Sequence, residues 1–240
     1  MKDESLRSAR LLGRRNALVK LGGAALFAHA PLLHAAPALS RMPQCVVRPE
    51  QTEGPFFVDQ KLNRADIRSD PASGAVKAGV PLRVTFNVSR VSGSACVPLE
   101  GAMVDLWHCD AAGQYSGVRD RTASTVGERF LRGYQLTDTN GAVTFSTIYP
   151  GWYPGRAVHL HFKVRTRAGR RAHEFTSQIY FDDDLSDRIL GKAPYSTRGR
   201  RDVRNAMDGL FARGGSQLLL SLEPQDRGYA GLFSLALGAI

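Results

Sequence analysis

From Pro81 onward, apolar and polar residues alternate in short runs. In Leu82-Arg83-Val84-Thr85-Phe86-Asn87-Val88 every second side chain falls on one face, which predicts a strand with one buried and one wet face. After a Gly break, Ala102-Met103-Val104-Asp105-Leu106-Trp107 reads the same way, and further strands are predicted at 156–165 and 174–181. Asp138-Thr139-Asn140-Gly141 before Ala142-Val143-Thr144-Phe145 predicts a hairpin, because Asn-Gly supplies the positive φ angles of a tight turn. Short strands separated by Gly, Pro and Asn turns predict an all-β chain, a β-sandwich of mixed topology. Residues 41–79 read as an irregular Pro-containing arm, and long loops are left to form a cleft. A short helix is expected over 201–213, and Asp182-Asp183-Asp184 reads as an acidic turn after a strand rather than a calcium loop. The apolar tail Tyr229 to Ile240 is expected to dock as a strand or a helix, with the pattern leaving both open.

The first 38 residues differ from the rest. Gly13-Arg14-Arg15-Asn16-Ala17-Leu18-Val19-Lys20 resembles a twin-arginine export signal, followed by a modest apolar run and small-residue cleavage options near Ala35 or Ala38. The expected organisation is therefore a signal peptide over 1–38 and one sandwich domain over 39–240, exported to the periplasm or beyond. The apolar run is too short and glycine-rich for a membrane span, so none is expected once the signal is removed.

The length of 240 residues suits one well-packed domain, and 43% hydrophobic with 22% charged residues is ordinary for a globular protein. The net charge of +10 raises nucleic acid as a partner, but Lys2, Arg7, Arg10, Arg14, Arg15 and Lys20 against Asp3 and Glu4 put much of it in the leader. The remaining excess of about +6 suits anionic aromatic substrates or solubility equally well. No nucleic-acid motif is present, and the Arg-rich stretches at 165–171 and 198–204 read as solvated loops. Of Cys45, Cys96 and Cys109, one pair can close a disulfide in an oxidising compartment. All three pairings are open, and Cys96 with Cys109 is favoured because they bracket a short strand-rich segment.

The candidate chemistry lies in His159-Leu160-His161. On a strand, side chains at i and i+2 leave the same face, so both imidazoles address one point and form half of a metal clamp. Tyr115 and Tyr153 would add phenolates, hard anionic donors suited to Fe(III) rather than Zn(II) or Cu(I). Tyr149 competes with Tyr153 for that role. His108 reads as structural, His173 as a solvated residue of an Arg-rich loop, and His29 and His34 fall in the leader.

Five segments then occur in order: Thr52-Glu53-Gly54-Pro55-Phe56-Phe57, Val104-Asp105-Leu106-Trp107-His108-Cys109-Asp110-Ala111, Gly113-Gln114-Tyr115-Ser116, Thr147-Ile148-Tyr149-Pro150-Gly151-Trp152-Tyr153-Pro154, and Arg156-Ala157-Val158-His159-Leu160-His161-Phe162. Together, over roughly residues 45–182, they resemble the intradiol ring-cleavage dioxygenases, the family of catechol 1,2-dioxygenase and protocatechuate 3,4-dioxygenase. The resemblance implies that Tyr115, Tyr153, His159 and His161 ligate a mononuclear non-haem Fe(III), with Tyr153 and His161 axial and Tyr115 and His159 equatorial beside a hydroxide. Two phenolates and a hydroxide would cancel the ferric charge, leaving a neutral centre that tolerates burial. It further implies that a catechol-type substrate chelates the iron, Tyr153 departs and takes a substrate proton, and O2 cleaves the ring to a cis,cis-muconate-type diacid. Arg156 would stabilise charge on the ring and Gln178 would support the site.

Only five residues separate Tyr153 from His159, fewer than in better-known members, and no long N-terminal helical region precedes the arm. Both departures resemble an exported, single-domain branch and leave open which catechol is used; a homo-oligomer is compatible with the sequence. Two rival functions remain: a non-catalytic transthyretin-like binding module with a vestigial metal site, and a zinc or copper enzyme, which would need carboxylate or thiolate ligands.

Overall fold

The computed structural model describes residues 45–119, 124–168 and 171–238. The signal segment expected over 1–38 lies outside them. Strands β1 (Pro81–Ser92), β2 (Ala95–Pro98), β5 (Ala142–Ile148), β8 (Glu223–Gln225) and β9 (Gly228–Leu237) form one sheet. Strands β3 (Met103–Trp107), β4 (Arg132–Leu136), β6 (His159–Ala168) and β7 (Arg171–Tyr180) form the second, in the order β4-β3-β6-β7. The alternating residues of β1 behave as the pattern requires, with Leu82, Val84, Phe86 and Val88 all buried. They meet Val104, Leu106, Leu160, Phe162 and Ile179 from the second sheet in one core. Phe86 lies 5.3 Å from Phe162 between ring centroids, the two sheets interlocking through large side chains.

The apolar tail is a strand: β9 runs parallel to β1 over nearly its whole length, which makes the sandwich mixed in topology. The Asn140-Gly141 turn forms, with Gly141 at φ +72 and Asp138 Oδ1 accepting the N–H groups of Asn140 and Ala142. It does not close a hairpin, however. β4 pairs with β3 and β5 with β1, so the turn carries the chain from one sheet to the other.

The arm covers the sheet edges. Ala236 N–H donates to Val46 O at β9, and Gln51 N–H to Thr176 O at β7. Farther along, Tyr134 N–H of β4 donates to Leu62 O, and Ser146 N–H of β5 to Ala65 O. Edge groups of four strands thereby find partners that would otherwise invite another chain.

Several expectations are corrected. Asp182-Asp183-Asp184 opens helix α1 (Asp183–Leu190): the Asp182 side chain accepts the Leu185 N–H at 2.8 Å, and Asp183 and Asp184 occupy the first turn, where carboxylates are favoured. Residues 201–213 hold only a 3-10 turn, Asn205–Met207, because Asp208 Oδ1 takes the N–H groups of Leu210 and Phe211 in place of helix carbonyls. His173 is a half-buried residue within β7, paired with Thr166, and not in a loop. Arg165 pairs with Asp59 and Asp105, and Arg201 with Asp183 and Asp187, so neither is simply solvated.

The disulfide joins Cys45 to Cys96, with Cα atoms 5.3 Å apart, and Cys109 is a free, buried thiol. Cys96 lies on β2 of one sheet whereas Cys109 follows β3 of the other, so closeness in sequence did not bring them together. Among the described residues no helix is long and apolar enough to cross a membrane.

Candidate metal centre

The outer face of the second sheet carries the site. Because β6 alternates, Leu160 and Phe162 enter the core while His159 and His161 leave on the opposite face. Their cross-strand partners share that face: Tyr180 opposite His159, Gln178 opposite His161, and Trp107 of β3 also opposite His161. The indole stacks on the His161 ring at 5.1 Å with a 9° interplanar angle. His159 Nδ1–H donates to Ala157 O at 2.6 Å, which leaves the Nε2 lone pair free.

Two loops bring the phenols. After β3, Asp110 Oδ1 accepts the N–H groups of Ala112 and Gln114, and Gly113 turns at φ +77 with its α-carbon packed on Trp152 O, where a Cβ has no room. Asp110 O also accepts Gly151 N–H at 3.2 Å, tying the Tyr115 loop to the loop that carries Tyr153. From the arm, Phe56 stacks on Tyr115 with centroids 4.4 Å apart and meets Tyr153 edge-on, and Gly54, at φ +70, lies over His161.

The result is a convergence of four donor atoms. His159 Nε2 lies 3.0 Å from His161 Nε2, 3.0 Å from Tyr153 Oη and 3.5 Å from Tyr115 Oη. Donors about 2.0–2.1 Å from one ion and at right angles to each other sit about 2.9 Å apart, so these separations suit neighbouring positions around a single metal. His161 Nδ1 is buried with no hydrogen-bond partner, as if its ring were oriented for Nε2. Burial pushes His159 down to about 3 and His161 well below the usual imidazole range. Burial also pushes Tyr153 up to about 12 and Tyr115 well above the usual phenol value. A cage that resists both imidazolium and free phenolate offers neutral nitrogens, and phenols that ionise once a highly charged cation is there to neutralise them. The residues present therefore fit a hard ferric ion. Among the described residues no group of three or more His, Cys, Asp or Glu side chains could hold a metal, so the ligand set of the zinc or copper rival is not found there.

Arg156 borders this cluster. Its Nε–H donates to Asp208 Oδ2 at 2.8 Å, and Nη2 to Gln178 Oε1 at 2.6 Å and Tyr180 Oη at 3.3 Å. Burial alone would lower its pKa, but Tyr153 and Asp208 hold it above the usual guanidinium value. Gln178 Nε2 in turn donates to Thr52 O, anchoring the arm.

The structure thus brings Tyr115, Tyr153, His159 and His161 to one point and sets Arg156 and Gln178 beside it. Tyr149 is elsewhere: its hydroxyl shares a 2.7 Å hydrogen bond with Ser186, and its ring packs on Phe181 in the core. His108 is buried, its Nδ1–H donating to Cys109 O and its Nε2 accepting from Thr147. Asp208, Tyr180 and Asp110 escaped the sequence reading. Asp208-Gly209 looks like any surface turn, and nothing in the pattern shows that it folds back onto Arg156.

A family model described as "Dioxygenase" matches residues 52–195. The chain is 32% identical over 152 residues to the protocatechuate 3,4-dioxygenase beta chain of Burkholderia cepacia, covering 58% of this chain and 63% of that protein. It is 27% identical over 154 residues to a chlorocatechol 1,2-dioxygenase of Rhodococcus opacus, covering 55% of each. The chain thus spans under two thirds of the length of these two curated relatives. Among solved structures, an intradiol ring-cleavage dioxygenase from Tetranychus urticae superposes with a TM-score of 0.70 at 34% identity, over 80% of this chain and 94% of that one. With a family match through the whole site region and a solved relative matched nearly end to end, this chain belongs to the intradiol ring-cleavage dioxygenases.

Proposed function

We propose that this protein uses one ferric ion, held by Tyr115, Tyr153, His159 and His161, to cleave a catechol-type substrate with O2 to a cis,cis-muconate-type dicarboxylate. The observation that carries the reading is the convergence of two phenol oxygens on two imidazole nitrogens within 3.0–3.5 Å of His159 Nε2. Bound there, ferric iron would supply the Lewis acidity that withdraws electron density from a catecholate and opens its ring to O2.

The side chains divide the remaining work. Tyr115 is 3% exposed and clamped beneath Phe56, so it would hold the ion as a phenolate throughout. Tyr153 is only partly buried and sits on a turn with Gly155 at φ +82, so of the two phenols that would hold the ion it is the one placed to take a substrate hydroxyl proton at Oη. Arg156 Nη1 has no acceptor among the described residues. It is the donor left for negative charge building on the ring. Gln178 fixes the guanidinium and, through Thr52, the arm above it.

The test is a visible spectrum of the iron-loaded protein, before and after anaerobic catechol, followed by air. A broad phenolate-to-iron band that moves to longer wavelength with catechol, then gives way to a muconate-type product with one O2 consumed, is the expected course. A colourless protein at full iron occupancy would sink the ligand assignment and favour the binding-module reading.

We also propose export through the twin-arginine pathway, with the signal over 1–38. The Arg14-Arg15 motif and the Cys45–Cys96 disulfide, a bond typical of oxidising compartments, support it. N-terminal sequencing of the periplasmic or secreted protein should find a start near residue 36 or 39; an intact Met1 in the cytoplasm would refute it.

A further inference from the structure

Asp208 is a charged group that the reaction outlined above leaves without a part. The residue is 1% exposed, and it is reached only after the chain has crossed α1 and the loop beyond it. Both oxygens are fully engaged. Oδ1 accepts Leu210 N–H at 2.7 Å and Phe211 N–H at 3.1 Å, closing its own turn. Oδ2 faces the site and accepts Arg156 Nε–H and Ala157 N–H, both at 2.8 Å. Two successive residues of the strand entry are thus gripped by one oxygen. One carries the cation of the site, and the carbonyl of the other orients His159 through Nδ1.

The loop carrying Asp208 is itself fastened. Asn205 Nδ2 donates to Phe181 O at 2.7 Å, Arg204 pairs with Asp184 at 2.7 Å, and Arg201 pairs with Asp183 at 2.6 Å. Among the described residues, Asp208 is the only carboxylate paired with Arg156. Gln178 and Tyr180 offer neutral oxygens to Nη2, so they steer the guanidinium without balancing its charge.

We propose that Asp208 is the positioning residue of this centre: it locks the Arg156 guanidinium, through Nε, in the orientation that presents Nη1 to charge developing on the substrate ring. The inference rests on the ferric intradiol reading for its functional consequence, though not for the contacts themselves. A buried carboxylate oxygen that accepts from both a guanidinium and a backbone amide is costly to mimic. An Asn can keep its oxygen toward Leu210 and Phe211, but it then turns its NH2 group on Arg156 Nε–H and Ala157 N–H, donor against donor.

The test compares wild type, Asp208→Asn, Arg156→Ala and the double variant, all as iron-loaded full chain. Wild type is assayed first with catechol, hydroxyquinol and protocatechuate; absence of turnover with all three counts against the proposed function and leaves the contact question to hydrogen exchange. In an active enzyme, Asp208→Asn should lower kcat at least tenfold, keep KM within about twofold and keep one iron per chain. The double variant should be no slower than Arg156→Ala alone, since both changes would remove one unit of function. Mass-spectrometric hydrogen exchange should show the Ala157 amide opening at least tenfold faster in Asp208→Asn, with Leu210 and Phe211 little changed. Rate losses that multiply in the double variant, or an Ala157 amide as slow as in wild type, would overturn the proposal. Should Asp208→Asn fail to fold, Asp208→Glu takes its place in the same cycle. It keeps the charge on a longer arm, so a severalfold loss of kcat that vanishes in the Arg156→Ala background supports the proposal, and an unchanged kcat overturns it.

Discussion

At the scale of single residues, identical side chains take opposite roles according to what surrounds their polar atoms. Tyr149 and Tyr115 are both buried, but Tyr149 ends on a hydroxyl of Ser186 and Tyr115 on the imidazole cluster. Tyr149→Phe should therefore cost about 1 kcal/mol and leave the iron content at one per chain. Tyr115→Phe should strip most of the iron while the apoprotein keeps its fold; metal analysis and circular dichroism on the two purified variants separate these outcomes. The histidines divide in the same way. His108 has both ring nitrogens hydrogen-bonded, whereas His161 keeps Nδ1 unpartnered and turns Nε2 to the cluster. Burial pushes His108 down to about 4. Between the ordinary value near 6.5 and about 4 the unfolded chain binds a proton that the folded protein refuses, so stability is full above that window and is lost as pH falls through it. Denaturant midpoints measured from pH 7 to pH 4 should fall, and His108→Gln should flatten part of that decline.

Among elements, the arm matters most. It reads as irregular because it makes no ladder of its own, yet it closes the edges of β4, β5, β7 and β9 and lays Phe56 over the phenols. Its grip is distributed. Lys163 is nearly buried, bridges Glu53 and Glu174, and lies 4.7 Å from the Phe57 ring; Arg165 holds Asp59. The Cys45–Cys96 bond adds a covalent end-point across a sequence separation of 51. Loop-closure entropy for a span of that size is worth about 4 kcal/mol. Cys45→Ala should accordingly lower the calorimetric Tm by about 10 °C. Iron content should stay unchanged, because residues 51–67 are held by the sheets and not by the disulfide. Loss of iron in that variant would show that the arm's beginning sets the site.

For the whole molecule, the sandwich divides labour between its faces. One face of the second sheet makes the core with β1, β5 and β9, and the other makes the site. A cavity in the core is thus felt by the site only through the strands β3, β6 and β7 that separate them. Phe86→Ala, which removes a ring packed on Phe145, Phe162 and Phe233, should cost about 3–5 kcal/mol in a denaturant titration while the iron-bound fraction keeps its kcat.

Sequence alone was enough for most of the strands, though not for the Asp182-capped helix α1 or for the turns of 201–213. Period-two alternation marked β1 and β3, strands were also expected where β6 and β7 lie, and the alternation of a strand sent both imidazoles of His159-Leu160-His161 to one face. The ordered motifs around Tyr115 and Tyr153 pointed to the family. What tertiary structure decided was pairing between distant segments: β9 beside β1, the Asn140-Gly141 turn spanning two sheets, Cys45 rather than Cys109 beside Cys96, and Asp208 beside Arg156. Each of these depends on which surfaces meet once the core is buried. Local pattern specifies which face of a strand is apolar; only packing specifies which other strand, loop or charge comes to lie against it.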